Sequence, residues 1–389
     1  MHQNKPSFLL ICDEWSPLSG GISTFNRDLA TALATAGHRT ACLVRTASRR
    51  EHADARARGV TLLTAEETPV GPVLWLCSPA VTRFAPDVVV GHDRVSGWYA
   101  WAYARRHLVA KLVHVVHTAP SEIERYKDTQ QATERTEERE RFMRRMAAEA
   151  DVIAAVGPRL VRNTRAVVDD GYGTVHVEQL DPGLVTDLTT RRRPMPHKTT
   201  VLLLGRAGEI RLKGLDIAAN AVAMTGLPTL GLRVRGAPRK DCDALAADLA
   251  QLSGLAPEQV DVRPYTDDTE QIAVDLRQAA LCVMPSRVEG LGLVALEAIA
   301  AGTPVLVSRK SGVAELLTER LGRVADHMIV AGDDPGTWAA AIRKVVTDLP
   351  AAFDFAHDVG VRLAGELRWD TVVDQLVTCL GPATATRAR

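Results

Sequence analysis

The sequence is short of aromatic residues, of net charge, of long apolar runs and of closely spaced cysteines, and each shortage removes a class of function. Aromatics are 4% of the 389 residues, so an extended stacking platform for polysaccharide is not evident. Lys+Arg and Asp+Glu each number 47. No overall field therefore draws the chain to nucleic acid or to anionic lipid. The opening segment MHQNKPSFLLICDEWSP has an apolar run of only about five residues before acids follow, too short for a signal-peptide core or a membrane span. It reads as a first buried strand of a cytoplasmic protein with no integral membrane segment. The six cysteines (Cys12, Cys42, Cys77, Cys242, Cys282, Cys379) lie far apart and form no CxxC pair. Reduced core thiols fit this spacing better than disulfides or metal ligation. No GxGxxG follows a strand, which argues against a nicotinamide-dependent dehydrogenase.

What the chain does contain is core. Hydrophobic residues are 46% and charged residues 24%, the balance of a soluble globular protein long enough for two domains. Short apolar or β-branched runs at 7–12, 40–45, 73–77, 87–91, 111–117 and 151–157 alternate with helical patterns. Such alternation predicts a parallel sheet wrapped by helices. After DPGLV (181–185) comes TDLTTRRRPMPHK, a polar, basic segment that reads as a solvated linker over 186–199. The alternation then restarts at 200–205, 231–236, 281–285 and 304–308, so two doubly wound halves are expected, 1–185 and 200–365. The segment 135–151 pairs Glu137 with Arg141 and Glu140 with Arg144 at helical spacing, as a solvated helix does. The tail GPATATRAR reads as disordered.

Within SRVEGLGLVALEAIAAGTPVLVS (286–308), Glu297 is the one carboxylate in an otherwise apolar or small-residue helix. A buried carboxylate needs partners. LCVMPS reads as a strand, Val288–Gly292 as the turn after it, and Leu293–Ala301 as a helix ended by Gly302 and Pro304. A glycine-bearing loop entering a helix presents free N–H groups and a positive dipole end, a site for phosphate. Glu297 lies roughly 8 Å further along the axis at 1.5 Å per residue. Two roles fit it equally on these grounds: holding adjacent hydroxyls of a ribose, or pairing with a buried arginine.

The pattern EGLGLVALE, with Glu289 and Glu297 flanking seven residues, closely resembles the EX7E motif of retaining glycosyltransferases, and its continuation AIAAGTPVLVS resembles family 4 of the GT-B fold. The resemblance implies that Glu297 binds the ribose of a nucleotide sugar, while Glu289 and the backbone of Gly290, Leu291 and Gly292 hold the donor sugar. LLLGRAGEIRLKG (202–214) resembles the family's G-R…K-G signature, in which Arg206 and Lys213 neutralise the departing diphosphate. A forked donor and a point charge suit that task. PLSGGISTF (17–25) resembles the family's first loop, so Gly20 and Gly21 would approach donor phosphate or acceptor. VHVVHT (113–118) places His117 at the family's active-site histidine, with His114 facing the other side of the sheet or the core. APDVVVGHD (85–93) and AEADVIAAVGPRL (148–160) resemble further family strands, and RWDTVVDQL (368–376) its last helix, implying that about 366–382 crosses back to the first domain. DPGLV and Lys310–Ser311–Gly312 depart from the family pattern.

The resemblance implies an α/β GT-B fold, two Rossmann-like doubly wound parallel-sheet domains facing across a cleft, with the donor mostly on the second. It implies transfer of a sugar with retention from a UDP- or GDP-linked donor, without cofactor or bound metal. Asp241–Cys242–Asp243 matches the DxD metal pattern of the other glycosyltransferase fold, but it opens a helical run, where aspartate serves as cap and dipole partner. A small soluble acceptor, as in natural-product assembly, is expected, with Trp15, Trp98, Tyr99 and Trp101 either lining its pocket or packing in the core. The alternatives are a sugar-nucleotide epimerase of the same fold and a non-catalytic sugar-nucleotide sensor.

Overall fold

The structure is a computed structural model that describes residues 5–17, 20–65, 84–107, 110–126, 131–169, 176–187 and 193–381. The chain divides into two compact units, one of Met1–Glu124, Thr129–Gly183 and Trp369–Arg389, the other of Arg125–Asp128 and Leu184–Arg368.

The described part of the first unit holds β1 (Phe8–Ile11), β2 (Thr40–Val44), β3 (Thr61–Thr64), β4 (Val88–His92), β5 (Lys111–Val116), β6 (Val152–Val156) and β7 (Val177–Leu180). All pair in parallel, in the order β3-β2-β1-β4-β5-β6-β7. Phe8, Leu9, Leu10 and Ile11 are all 0% exposed. Helices on both faces bury both side-chain rows, which explains why such strands are apolar without alternation. Each such leucine contributes about 2–3 kcal/mol by leaving water. The strand expected at 73–77, with Cys77, lies outside the described residues. Cys12, Cys42, Cys242 and Cys282 are buried free thiols, and Cys379 is a half-buried one.

The second unit repeats the plan with β8 (Thr200–Leu204), β9 (Gly231–Ala237), β10 (Val260–Pro264), β11 (Leu281–Met284), β12 (Val305–Ser308) and β13 (Ile329–Val330), ordered β10-β9-β8-β11-β12-β13. Its core gathers Val201, Leu203, Ile217, Val234 and Trp338.

Strand order reverses direction in each sheet, between β1 and β4 and between β8 and β11. At such switch points neighbouring loops diverge beyond the carboxyl ends of the strands and leave room for a ligand. The last helix, Trp369–Leu380, buries Val372, Val373 and Leu376 and belongs to the first unit. Its Gln375 Nε2 donates to Gln179 O at 2.9 Å, and the Trp369 ring stands 5.5 Å from that of Phe25. A Cβ on Gly183 would come within 2.4 Å of Trp369 Cδ1, so only glycine admits the ring there.

Two local expectations change, for Arg193 and Asp241, and the expected Glu140–Arg144 pair is found. Arg193 is not a solvated linker residue: it donates to Thr303 Oγ1 at 2.7 Å and Ala279 O at 2.8 Å, and lies 4.8 Å over the Phe353 ring. Burial lowers its pKa to about 10. Asp241 precedes the helix Cys242–Ser253 but its side chain makes no capping bond. In the helix Ala132–Glu149, Glu140 pairs with Arg144 at 3.4 Å, and a second tie runs from Arg139 to the buried Glu124 at 2.9 Å.

Candidate active site

At the switch point of the second unit, β8 ends at Leu204, Gly205 and Arg206 follow it, and a short helix, Ile210–Lys213, comes next. A Cβ on Gly236 would sit 2.0 Å from Gly205 O, so glycine lets β9 and this loop meet. Gly205 N donates to Arg235 O and Ala207 N to Gly236 O, each at 3.0 Å, which anchors the loop and leaves the Arg206 side chain exposed. Gly214 adopts φ 69°, and a Cβ there would lie 2.2 Å from Pro285 O. That close approach brings Lys213 over the loop after β11. Its Nζ is 2.6 Å from Glu289 Oε2, and Ser286 Oγ donates to the same oxygen at 3.3 Å. Both partners are about four-fifths buried, Lys213 at 21% and Glu289 at 20% side-chain exposure.

The Gly290–Gly292 loop is held from behind. Gly312 N donates to Glu289 O at 3.0 Å and Val313 N to Leu291 O at 2.7 Å. A Cβ on Gly312 would stand 1.9 Å from Gly290 O, which gives the departing Lys310–Ser311–Gly312 segment a structural reason. Gly292, at φ 104°, precedes the helix Leu293–Ala300 without a side-chain cap. Glu297 is half-buried on this helix. Burial, with the Glu297 charge as second cause, pushes the Cys282 thiol of β11 up to about 12. Lys213, Glu289, Gly290–Gly292 and Glu297 thus gather at one switch point, with Arg206 on the adjoining exposed loop.

Sequence reasoning missed Arg287. It donates to Asp216 through two nitrogens at 2.9 and 2.6 Å and to Arg211 O at 2.5 Å, and its N–H donates to Leu212 O at 2.9 Å. It binds the loop after β11 to the helices after β8, and so fixes the distance from Lys213 to Glu289. Its signal is an arginine two residues before Glu289.

In the first unit, Gly20 (φ 131°) caps the helix Gly21–Thr35 without a side-chain bond. Five residues on, Phe25 and Asn26 of this helix reach the ends of β4 and β5. Phe25 stands edge-on to His117 with ring centres 5.1 Å apart. Asn26 Oδ1 and His92 Nε2 are 2.9 Å apart, and His92 Nδ1 and His117 Nε2 are 2.9 Å apart. Asp93, a non-glycine residue at φ 40°, turns β4 directly into the helix Asp93–Arg106. It accepts from His117 N at 3.2 Å and Thr118 Oγ1 at 3.0 Å. Burial outweighs these bonds and raises its pKa to about 7. Burial lowers His92 to about 3, His114 to about 4 and His117 well below the ordinary range. His114 is buried, and Gly97 makes room for it, since a Cβ there would be 2.6 Å from His114 Cε1. Trp15 is fully buried and bonds Asp54 at 2.8 Å, so it packs in the core. Trp98 is 50% exposed and stacks on Trp101.

A family model described as family 4 glycosyltransferase in conflict systems matches residues 9–376. The chain belongs to the family 4 glycosyltransferases. Two curated relatives are named D-inositol 3-phosphate glycosyltransferase. One from Stackebrandtia nassauensis is 31% identical over 78% of this chain and 69% of its own length. One from Catenulispora acidiphila is 34% identical over 60% of this chain, and the match spans 59% of that relative's length. Among solved structures, sucrose-phosphate synthase from Thermosynechococcus elongatus superposes with a TM-score of 0.71 at 20% identity, covering 95% of this chain and 97% of the other. Anabaena HepE, solved with UDP and glucose, gives 0.71 at 15% identity over 96% and 99%. These likenesses give family 4 its expected GT-B fold here, with both sheets parallel and flanked by helices. Among the described residues no helix is long and apolar enough to cross a membrane, and no group of three or more His, Cys, Asp or Glu is arranged to hold a metal ion.

Proposed function

We propose that the chain is a retaining glycosyltransferase that moves a hexose from a nucleoside diphosphate to a hydroxyl of a small soluble acceptor, without a metal. The observation that carries this reading is the meeting of Lys213 with Glu289 at 2.6 Å beside an uncapped helix start. One cation, one carboxylate and free N–H groups at a switch point suit a sugar diphosphate, which offers anionic oxygens next to hydroxyls.

In this reading Lys213 and Arg206 stabilise the charge that grows on the diphosphate, the larger part of catalysis when no covalent step is needed. Glu289 and the Gly290–Gly292 backbone hold the sugar hydroxyls, and Glu297 holds the ribose. For Gly20 and Gly21 the family resemblance points to a role toward donor phosphate or acceptor, and for His117 to one toward the donor sugar. The bond from the anomeric carbon to the phosphate oxygen breaks, and a bond to the acceptor oxygen forms on the same face. The acceptor proton leaves with the departing phosphate oxygen. UDP is the favoured carrier, since HepE was solved with it. A polyhydroxylated acceptor accords with the relatives' names. The family model's reference to conflict systems favours a second setting for the same transfer beside natural-product assembly.

The test is incubation with UDP-glucose and either inositol or inositol 3-phosphate, followed by release of UDP and by NMR of the anomeric proton. An α-linked product supports the reading. A β-linked product would remove retention from it, and interconversion of donor without acceptor would favour an epimerase.

A further inference from the structure

Of a hydrogen-bonded chain in the first unit that ends at His117, the two buried members behind it, Asn26 and His92, have no part in the proposed transfer. Asn26 Nδ2 donates to Cys42 Sγ at 3.3 Å, which directs Asn26 Oδ1 toward His92 Nε2, 2.9 Å away. A carbonyl oxygen only accepts, so His92 carries its hydrogen on Nε2. A neutral imidazole has one N–H, and His92 Nδ1 is therefore a bare acceptor. The nitrogen facing it at 2.9 Å, His117 Nε2, must be the donor. His117 Nδ1 is then bare as well. Asn26 and His92 are both 0% exposed, so water does not compete for these bonds.

We propose that Asn26 and His92 are positioning residues that hold His117 in its Nε2-protonated tautomer, so that His117 Nδ1 accepts a hydrogen bond from a hydroxyl of the bound sugar or acceptor. The proposal rests on the transferase reading for its substrate and on geometry alone for the tautomer. A second proton on His92 would fall on Nδ1 and set two N–H groups against each other, and one on His117 would fill the Nδ1 acceptor. Burial prevents this by keeping both histidines neutral, His92 at about 3. The edge of Phe25, with its ring centre 5.1 Å from that of His117, and the bond from His117 N to Asp93 fix the ring and its backbone from two further sides. His114, a further histidine nearby and buried like His92, is likewise held neutral.

The test reads side-chain nitrogen–proton correlations of the full 15N-labelled chain at neutral pH, with His117 assigned by loss of its signals in His117→Gln. The expected pattern is a protonated Nε2 and a bare Nδ1 for His117. His92→Asn, whose Oδ1 can replace the lost Nδ1 acceptor, should keep that pattern. His92→Leu should give a tautomer mixture, with kcat for UDP release from UDP-glucose down about 10–100-fold and KM changed less than about twofold, as when a supporting partner is lost. Asn26→Ala, the second variant should His92→Leu not fold, should also leave His117 mixed. A His117 protonated on Nδ1, or a tautomer indifferent to loss of the partner in a folded variant, would overturn the proposal. If the wild type releases no UDP while the tautomer pattern holds, the transferase reading fails and the relay stands.

Discussion

At the β1–β4 switch point the strand ends carry Asn26, His92, Asp93 and His117, joined by hydrogen bonds and held largely without charge by burial. At the β8–β11 switch point they carry Lys213, Ser286 and Glu289, an ion pair about one-fifth exposed, with Arg206 open beside it. The same topology thus presents a largely neutral hydrogen-bonded network in one unit and a charged pair in the other. The difference suits a division of labour. A network whose histidines are neutral fixes direction at little electrostatic cost. A charged and partly exposed pair can exchange its internal partner for a diphosphate oxygen.

The sharpest way to break the comparison is Lys213→Ala. On the proposed function, kcat should fall about 10²–10³-fold, the scale of losing one charge-stabilising donor, while circular dichroism and melting stay near wild type. Unchanged UDP release would mean that the charged site is not the phosphate site.

Acid comes next. His92 (about 3) and His114 (about 4) are neutral in the native state yet protonate when unfolded. Their depressed pKa values contribute stability above about pH 6.5 that is lost as pH falls toward the folded values, at about 1.4 kcal/mol per pH unit for each. Asp93, raised to about 7, works the other way: native protein keeps its proton between about 4 and 7, so this group favours the folded state as pH falls. Histidines outnumber it, so urea midpoints should fall from pH 6.5 to 5. His114→Leu should flatten that slope.

Gly97→Ala places a Cβ 2.6 Å from His114 Cε1 and should destabilise by about 1–3 kcal/mol through overpacking, read as a lower melting temperature. The smallest effect sharpens the charged site. Glu289→Gln frees Lys213 from a partly exposed pair worth about 1 kcal/mol or less, so calorimetry should find UDP bound up to about fivefold tighter while sugar transfer falls.

How much of this was legible in sequence follows from burial. Most central strands of both sheets announce themselves as apolar runs, with β9 broken by Arg233 and Arg235, whereas β3, β7, β10 and β13 do not. These four are the edges of the two sheets, where half-exposed side chains such as those of Glu178 and Gln179 interrupt the run. Lys213, Glu289 and Glu297 were legible because a charge inside an apolar or glycine-rich segment needs a reason. Asn26, His92 and Arg287 were not, because their meaning comes from partners 66, 25 and 71 residues away. Arg193 misled because it stands in a basic, proline-bearing stretch, yet it docks on its own unit's backbone carbonyls and the face of Phe353.

The most direct measurement is the melting temperature of wild type and Glu297→Gln with UDP-, GDP- and dTDP-sugars in turn. One donor at about 100 times its Kd should stabilise the wild type by about 2.7 kcal/mol, a rise of about 3 °C or more, and the variant far less. No rise with any of the three, or an equal rise in the variant, would contradict the claim that a nucleotide sugar is held through this carboxylate.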